Sequence, residues 1–243
     1  MKIFISFDFD RTLADYSRAH GNSILEGIHE TFDNKFWVNW FDVHASGYTD
    51  LQIITQLVHN HGVSMHQIFN QMGLCVSNIV EHFPKYSYEY PVELLEGAEE
   101  TLKELYYTDN VFIGLSTGNI KSILLDKIKS TGIDQYFSFG SFGDEVFTRP
   151  QLLRLTKKRL KEYYALSKSD LAIHVGDSLL DVISAKKTGF IPIGLASGNY
   201  SKEQLTNAGA KYVFKNINEL KINLDELLSE ITSNKNVIKS AVV

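Results

Sequence analysis

Short runs of β-branched and aromatic residues alternate with amphipathic helical stretches along most of this 243-residue chain. Strands that are apolar on both faces are typical of a parallel sheet covered by helices. The alternation therefore predicts an α/β fold with a Rossmann-like parallel sheet. The predicted strands are residues 2–7, 111–116, 171–175, 190–195 and 211–214, and the predicted covering helices are 93–107, 121–130, 151–164 and 179–188.

The interval between the first two predicted strands is far longer than a simple crossover. A crossover needs only about a dozen residues, and the helical spacing in 17–32, 49–61 and 64–83 predicts that an α-helical cap is inserted there. The sequence thus predicts a core domain over 1–14 and 91–228, a helical cap domain over 15–90 and a C-terminal tail over 229–243, with no clear packing partner after about Leu228.

Composition excludes several classes of protein. Hydrophobic residues make up 44% and charged residues 22% of the chain, and no apolar run approaches the roughly 20 residues of a membrane helix. The net charge of −5 disfavours a nucleic-acid partner. Cys75 is the one cysteine, which excludes an internal disulfide and favours a reducing, cytoplasmic location. The oligomeric state is left open.

Four aspartates follow predicted strands. Asp8 and Asp10 come at the end of the first strand, and Asp177 and Asp181 follow the strand at 171–175. Because parallel strands end at one edge of a sheet, we expect these carboxylates to gather, and gathered carboxylates call for a hard divalent cation such as Mg²⁺. The predicted metal ligands are therefore Asp8, Asp10, Asp177 and Asp181. The alternative is that Asp10 and Asp177 only cap helices.

Two further segments suit a phosphate group. Thr117, Gly118 and Asn119 follow the second strand and precede a helix, where a hydroxyl and backbone N–H groups can hold phosphate oxygens. Arg149 precedes Pro150 at the start of another helix, where it can neutralise an anion. Each segment also has a purely structural alternative: the turn at Thr117 caps a helix, and Arg149 is a solvated surface residue.

Together these residues carry a family resemblance. The succession DFDRT, LSTGN, FGDEVFTRP and VGDSLLD resembles the four ordered motifs of the haloacid dehalogenase superfamily, over nearly the whole chain. The helical insert is similar to the cap of its phosphatase branch, and the segment GYTDLQII resembles phosphoglycolate phosphatase-like members. The implied roles are nucleophile for Asp8, general acid and base for Asp10, phosphate-binding hydroxyl for Thr117, stabilising cation for Arg149, metal ligand for Asp177 and water-mediated metal support for Asp181.

The expected function is a Mg²⁺-dependent phosphatase that hydrolyses a small phosphorylated metabolite through an aspartyl phosphate. A halide leaves without a proton, so the second aspartate, Asp10, argues against carbon–halogen cleavage. A sugar-phosphate phosphomutase of similar build and a non-enzymatic module that binds a phosphorylated metabolite are the alternatives.

The chain departs from the superfamily pattern at two positions. Arg11 stands where glycine is common, and either contacts substrate or faces solvent; Arg149 stands where lysine is common, with Lys157 and Lys158 as substitutes. We expect cap residues 44–49 to face the organic part of the substrate. The histidines, the aromatic residues at 36–41 and the turn at 195–199 are interpreted as structural.

Overall fold

The computed structural model describes residues 1–32, 38, 39, 43 and 45–240, with the backbone alone for 234–240. Six parallel strands form one sheet in the order β3-β2-β1-β4-β5-β6. The predicted α/β class with a parallel sheet is confirmed. The strands are β1 (Ile3–Phe7), β2 (Val111–Ser116), β3 (Phe139–Ser141), β4 (Leu171–Gly176), β5 (Ile191–Leu195) and β6 (Tyr212–Phe214).

Ten helices lie in the described part of the chain. Four of them lie between β1 and β2, and the first three of these four form the insert. The insert helices are α1 (Arg18–Thr31), α2 (Asp50–Asn60) and α3 (Met65–Glu89). The others are α4 (Ala98–Tyr107), α5 (Lys121–Ser130), α6 (Arg149–Tyr164), α7 (Leu179–Thr188), α8 (Lys202–Ala208), α9 (Ile217–Ile222) and α10 (Leu224–Ser240), with a 3₁₀ turn at Asp134–Tyr136.

The sequence missed two features of these elements. β3 is a three-residue edge strand whose sequence, Phe-Gly-Ser, presents no apolar run. α3 continues through Pro84 to Glu89, although the spacing predicted its end at Phe83 and a linker from Pro84 onward. Pro84 therefore lies inside the helix and removes one N–H donor from its hydrogen-bond ladder.

The central strand β1 places the site. Phe7 pairs with Leu115 of β2 on one side and with Val175 of β4 on the other. The residues that follow these three strands therefore emerge next to one another at the same edge. The strands themselves are held by a core of Ile, Leu, Val and Phe side chains on both faces of the sheet, whose burial is the main stabilising contribution.

The chain leaves the core for the insert and returns to it at adjacent points. Asp15 N donates to Glu93 O at 2.9 Å, and Leu95 N donates to Leu13 O at 2.9 Å. α1, α2 and α3 bury their own apolar cluster, which Ile120, just before α5, and Ile123 of α5 complete. This arrangement supports our proposal that residues 15–90 form a cap domain.

The C-terminal segment differs from the predicted tail. α10 runs to Ser240, and its residues Leu227 and Ile231 pack into the main core. Spacing of four residues places both side chains on one helix face, so the first part of the segment has a packing partner. No helix of the described chain is both long and apolar enough to cross a membrane.

Candidate active site

A cavity of about 590 Å³ lies between the carboxyl edge of the sheet and the insert helices. The turns after β1, β2 and β4 contribute Asp8, Asp10, Thr117 and Asp177 to its wall. On the opposite wall lie residues of α1, α2 and the segment before α2. Parallel strand order has thus brought together groups that are more than 160 residues apart in sequence.

Asp8, Asp177 and Asp181 form one acidic group. Each offers a carboxylate oxygen, these oxygens lie within 4.8 Å of one another, and all three residues are buried. Burial, followed by the charges of Asp181 and Asp8, raises the pKa of Asp177 well above its ordinary value. Burial also raises the pKa of Asp8, against the opposing effect of the adjacent Arg149.

Arg149 reaches into this group from the start of α6. Its Nη2 lies 2.7 Å from Asp8 Oδ2, its Nε donates to Asp181 Oδ1 at 2.6 Å, and its side chain is 1% exposed. The proposed substitutes are elsewhere: Lys157 Nζ donates to the Thr188 carbonyl, and Lys158 is exposed near Glu162. The planar guanidinium contacts two carboxylates at once, which a single ammonium could not do with the same geometry.

The charges of this group fit a divalent cation. When all three carboxylates are ionised, they and the one guanidinium carry a net charge of −2 in a buried site. Asp8 and Asp181 are paired with Arg149, whereas Asp177 has no cationic side chain within salt-bridge distance among the described residues. A buried carboxylate of this kind needs a counter-ion, and an all-oxygen donor set suits Mg²⁺.

Both carboxylate oxygens of Asp181 contact neighbouring side chains. Its Oδ2 accepts from Ser178 Oγ at 2.6 Å and Ser178 N at 3.1 Å, and its Oδ1 contacts Arg149 and His174 Nε2, the latter at 3.2 Å. Burial opposes its charge, but Arg149 outweighs burial and holds the pKa of Asp181 well below its ordinary range. With both oxygens engaged, Asp181 is placed to orient Arg149.

Asp10 lies outside the acidic group and is paired with a different cation. Lys127 Nζ donates to Asp10 Oδ1 at 2.9 Å and to Oδ2 at 3.1 Å, and the lysine side chain is fully buried. Burial opposes ionisation of Asp10, but Lys127 and the amide of Asn119 outweigh it and lower the pKa of Asp10. The Asp10 carboxylate is therefore not among the three whose oxygens lie within 4.8 Å of one another, and its role as a fourth metal ligand stays a prediction.

Asn119 organises this pair instead of facing a ligand with its side chain. Its Nδ2 donates to Asp10 Oδ2 and to Thr117 Oγ1, both at 2.8 Å, and its Oδ1 accepts from Lys127 Nζ at 2.7 Å. All polar positions of the amide are therefore engaged. Thr117, in contrast, accepts from Asn119 and keeps its O–H proton for a ligand in the cavity.

A buried polar chain continues from Lys127 into the insert. Lys127 Nζ lies 3.3 Å from His20 Nδ1 on α1, and His20 Nε2 lies 2.9 Å from Asp50 Oδ2 on α2. Because an ammonium group only donates, His20 Nδ1 accepts from Lys127. The 2.9 Å approach of His20 Nε2 to Asp50 lacks the geometry of a hydrogen bond. The sequence analysis missed Lys127 and His20. A lysine within the apolar face of an amphipathic helix is a sequence signal for a buried charge, and Lys127 lies on such a face. The buried apolar residues beside it are Ile120, Ile123, Leu124 and Ile128.

The Gly-Tyr-Thr-Asp segment before α2 docks on the Thr117 turn. Asp50 N donates to Gly118 O at 2.8 Å, Ile120 N donates to Asp50 Oδ2 at 2.6 Å, and Thr49 Oγ1 donates to Phe147 O at 2.7 Å. A Cβ at Gly118 would lie 2.1 Å from Tyr48 O, so only glycine allows this approach. Residues 45–48 line the cavity; position 44 lies outside the described residues, as do 36, 37, 40 and 41.

The loop after β5 also belongs to the site, although the sequence analysis interpreted it as a connection. Ser197 Oγ donates to Arg11 O at 2.5 Å, and Arg11 Nη1 donates to Asn199 Oδ1 at 2.7 Å. A Cβ at Gly198 would lie 1.8 Å from Asp177 Oδ2. The glycine therefore lets the loop backbone close over the acidic group.

The comparisons with known proteins agree with this geometry. Residues 5–194 match the family model of the haloacid dehalogenase-like hydrolases. The chain belongs to this family. The match confirms the resemblance seen in the four motifs and identifies the protein as a hydrolase of this family. No curated protein matches the sequence.

Solved structures share the fold over almost the whole chain. A hydrolase from Pseudomonas syringae is 20% identical, with a TM-score of 0.69 and coverage of 93% of this chain and 99% of that one. A β-phosphoglucomutase from Clostridium difficile is 18% identical, with a TM-score of 0.69 and coverage of 98% and 99%. A predicted phosphatase from Clostridium acetobutylicum is 22% identical, with a TM-score of 0.67 and coverage of 93% and 99%. At these identities the likeness concerns the fold.

Proposed function

We propose that this protein is a Mg²⁺-dependent phosphatase that hydrolyses a small phosphomonoester through an aspartyl phosphate on Asp8. The proposal rests on one observation: two carboxylates line the same cavity but have different charged partners. Asp8 lies in the acidic group beside Arg149, and Asp10 lies apart from it on Lys127 and Asn119. Two carboxylates with different surroundings can take different roles in one reaction.

In the first step, an Asp8 oxygen forms a bond to phosphorus while the bond between phosphorus and the ester oxygen breaks. Arg149 provides positive charge beside Asp8, and the Thr117 hydroxyl is free to donate to a phosphate oxygen. The departing alcohol oxygen takes a proton from Asp10. Because Lys127 favours ionised Asp10, this role requires Asp10 to turn from Lys127 and carry a proton when substrate is bound.

In the second step, Asp10 takes a proton from a water molecule, whose oxygen attacks phosphorus and releases phosphate from Asp8. The ionised state of Asp10 in the present arrangement suits this base role. Asp8, Asp177 and Asp181 would hold Mg²⁺ between them, Asp181 through water, and the ion would supply positive charge near the phosphate oxygens. The insert helices form one wall of the cavity and would limit the access of bulk water to it.

The resemblance of Gly47–Asp50 to phosphoglycolate phosphatase-like proteins supports placing the protein in that branch. A sugar-phosphate mutase of similar build uses the same first step and passes the phosphoryl group to a second sugar hydroxyl instead of to water. We expect water to be the acceptor, and the site to act on soluble metabolites in the cytoplasm, as the lone Cys75 suggests.

The test compares wild type with Asp8→Asn on phenyl phosphate in Mg²⁺, with released phosphate as the readout. Asp8→Asn should lose turnover by at least about a thousandfold, since the amide is not a nucleophile, while circular dichroism shows a retained fold. Asp109→Asn, an exposed residue before β2 at the opposite edge of the sheet, is the matched control and should retain wild-type turnover.

Acid-quenched wild type should also show a phosphorylated protein by mass spectrometry, and Asp8→Asn should not. Near wild-type turnover by Asp8→Asn would refute the nucleophile assignment. Phosphoryl transfer between sugar phosphates with little release of phosphate would identify a mutase instead.

A further inference from the structure

Arg11 occupies a backbone conformation that favours glycine. Its φ is 61°, in the left-handed region, whereas most residues avoid positive φ because Cβ then crowds the backbone. The position lies between Asp10 and the first connection to the insert. A strained position next to a catalytic group is a reason to ask what its side chain does.

The surrounding loops hold Arg11 in place. Its N–H donates to Ala14 O at 2.6 Å and its carbonyl accepts from Ser197 at 2.5 Å. The guanidinium donates to Asn199 Oδ1 at 2.7 Å and lies 5.9 Å from the centre of the Tyr16 ring. Arg11, Tyr16 and Asn199 all line the cavity. The guanidinium is therefore positioned at the cavity wall.

Arg11 differs from the other cations of the site in its partners. Arg149 is paired with Asp8 and Asp181, and Lys127 is paired with Asp10. The side-chain partners of Arg11 are an amide and an aromatic ring, and no described carboxylate lies within 4.0 Å of it. One of its five N–H donors is engaged by Asn199, so the others are available to a ligand.

We propose that Arg11 determines specificity by binding a second anionic group on the substrate, a carboxylate or another phosphate, while the reacting phosphate lies at Asp8. The planar fork of a guanidinium matches both anions with two parallel hydrogen bonds. The inference rests on the proposed phosphatase function and names the class of its substrate. The apolar side chains of Ile24 and Ile53 in the same cavity would face the carbon skeleton.

The test measures kcat/KM for two matched pairs of substrates. In the first pair, 3-phosphoglycerate carries a carboxylate where glycerol 3-phosphate has a hydroxymethyl group. In the second, fructose 1,6-bisphosphate carries a phosphate that fructose 6-phosphate lacks. Wild type should prefer the more anionic member of at least one pair by about 10- to 100-fold, the size of effect typical of a charge-assisted pair of hydrogen bonds. The pair with the larger ratio identifies the anion.

Arg11→Gly should reduce that ratio to about twofold or less, and Arg11→Lys should retain part of it, because it keeps the charge but loses the fork. Glycine suits the left-handed φ, so Arg11→Gly should fold with an unchanged or higher melting temperature. Arg154→Ala, an exposed arginine on α6, is the control and should keep the wild-type ratio. Calorimetric binding of the same pairs to Asp8→Asn, with and without Arg11→Gly, gives the ratio without turnover.

The outcomes separate the two proposals. If wild type hydrolyses phenyl phosphate but shows less than a twofold ratio in both pairs, or if Arg11→Gly keeps the ratio, Arg11 does not select an anion and the phosphatase proposal stands. If wild type neither turns over nor binds any phosphomonoester, both proposals are overturned.

Discussion

Replacing Lys127 by methionine would remove the ammonium group that faces Asp10 while keeping a side chain of similar length. Lys127 is fully buried and contacts both Asp10 oxygens and Asn119 Oδ1. Removing one member of a buried ion pair costs about 3–5 kcal/mol, because the other charge is left without a partner. Since 24% of the Asp10 side chain is exposed, we expect the lower end, about 3 kcal/mol.

The loss should depend on pH with a defined sign. In wild type the pKa of Asp10 is lowered from its ordinary 3.8, so the stabilisation is present above that value and is lost as pH falls through the lowered pKa. In Lys127→Met the burial of Asp10 remains without the ammonium, and its pKa should rise. The variant then gains a proton on folding at mildly acidic pH, and its stability deficit should shrink between pH 7 and about pH 5.

Differential scanning calorimetry at both pH values measures this. For a chain of this size, 3 kcal/mol corresponds to a melting temperature lower by about 6–12 °C at neutral pH. Lys129→Met makes the same chemical change on the exposed face of the same helix and should stay within about 2 °C of wild type. A variant that melts with wild type at pH 7, or whose deficit is equal at both pH values, would show that the Asp10–Lys127 pair does not stabilise the fold.

Two further predictions concern the docking of the insert and the metal. Gly118→Ala places a Cβ 2.1 Å from Tyr48 O and should lower the free energy of unfolding, measured by urea titration, by about 1–3 kcal/mol. Gly73→Ala is the control: Gly73 lies on α3 with open space around it, so the change should be neutral or stabilising. Equal effects of the two substitutions would contradict the docking of the insert on Gly118. Mg²⁺ should raise the melting temperature, and EDTA should reverse the rise and abolish phosphate release. Because the pKa of Asp177 is raised and binding requires its ionised form, the rise should shrink as pH falls from 7.5 to 5.5; a rise independent of pH would argue against Asp177 as a ligand.

The convergence of the candidate site residues was predictable from sequence because they lie at positions of simple local geometry. Asp8, Thr117 and Asp177 each follow an apolar strand, and parallel strands end at one edge, so their convergence follows from the strand pattern and sheet topology. Arg149 was predicted from its place at a helix start. The insert was likewise predicted from an interval too long for a crossover, and most of its helix bounds from apolar spacing.

The sequence does not predict which buried polar side chains pair with one another. Hydrophobic periodicity says that Lys127 faces the interior, but Asp10 is 117 positions away and His20 is 107. Which buried donor meets which acceptor depends on how the insert docks and how the loops close, because a buried charge is tolerated only where a partner arrives from elsewhere in the chain. The contacts of the loop at 197–199 were also not predictable from sequence. Its sequence is that of an ordinary turn, and only the tertiary structure shows that it lies against Arg11 and Asp177.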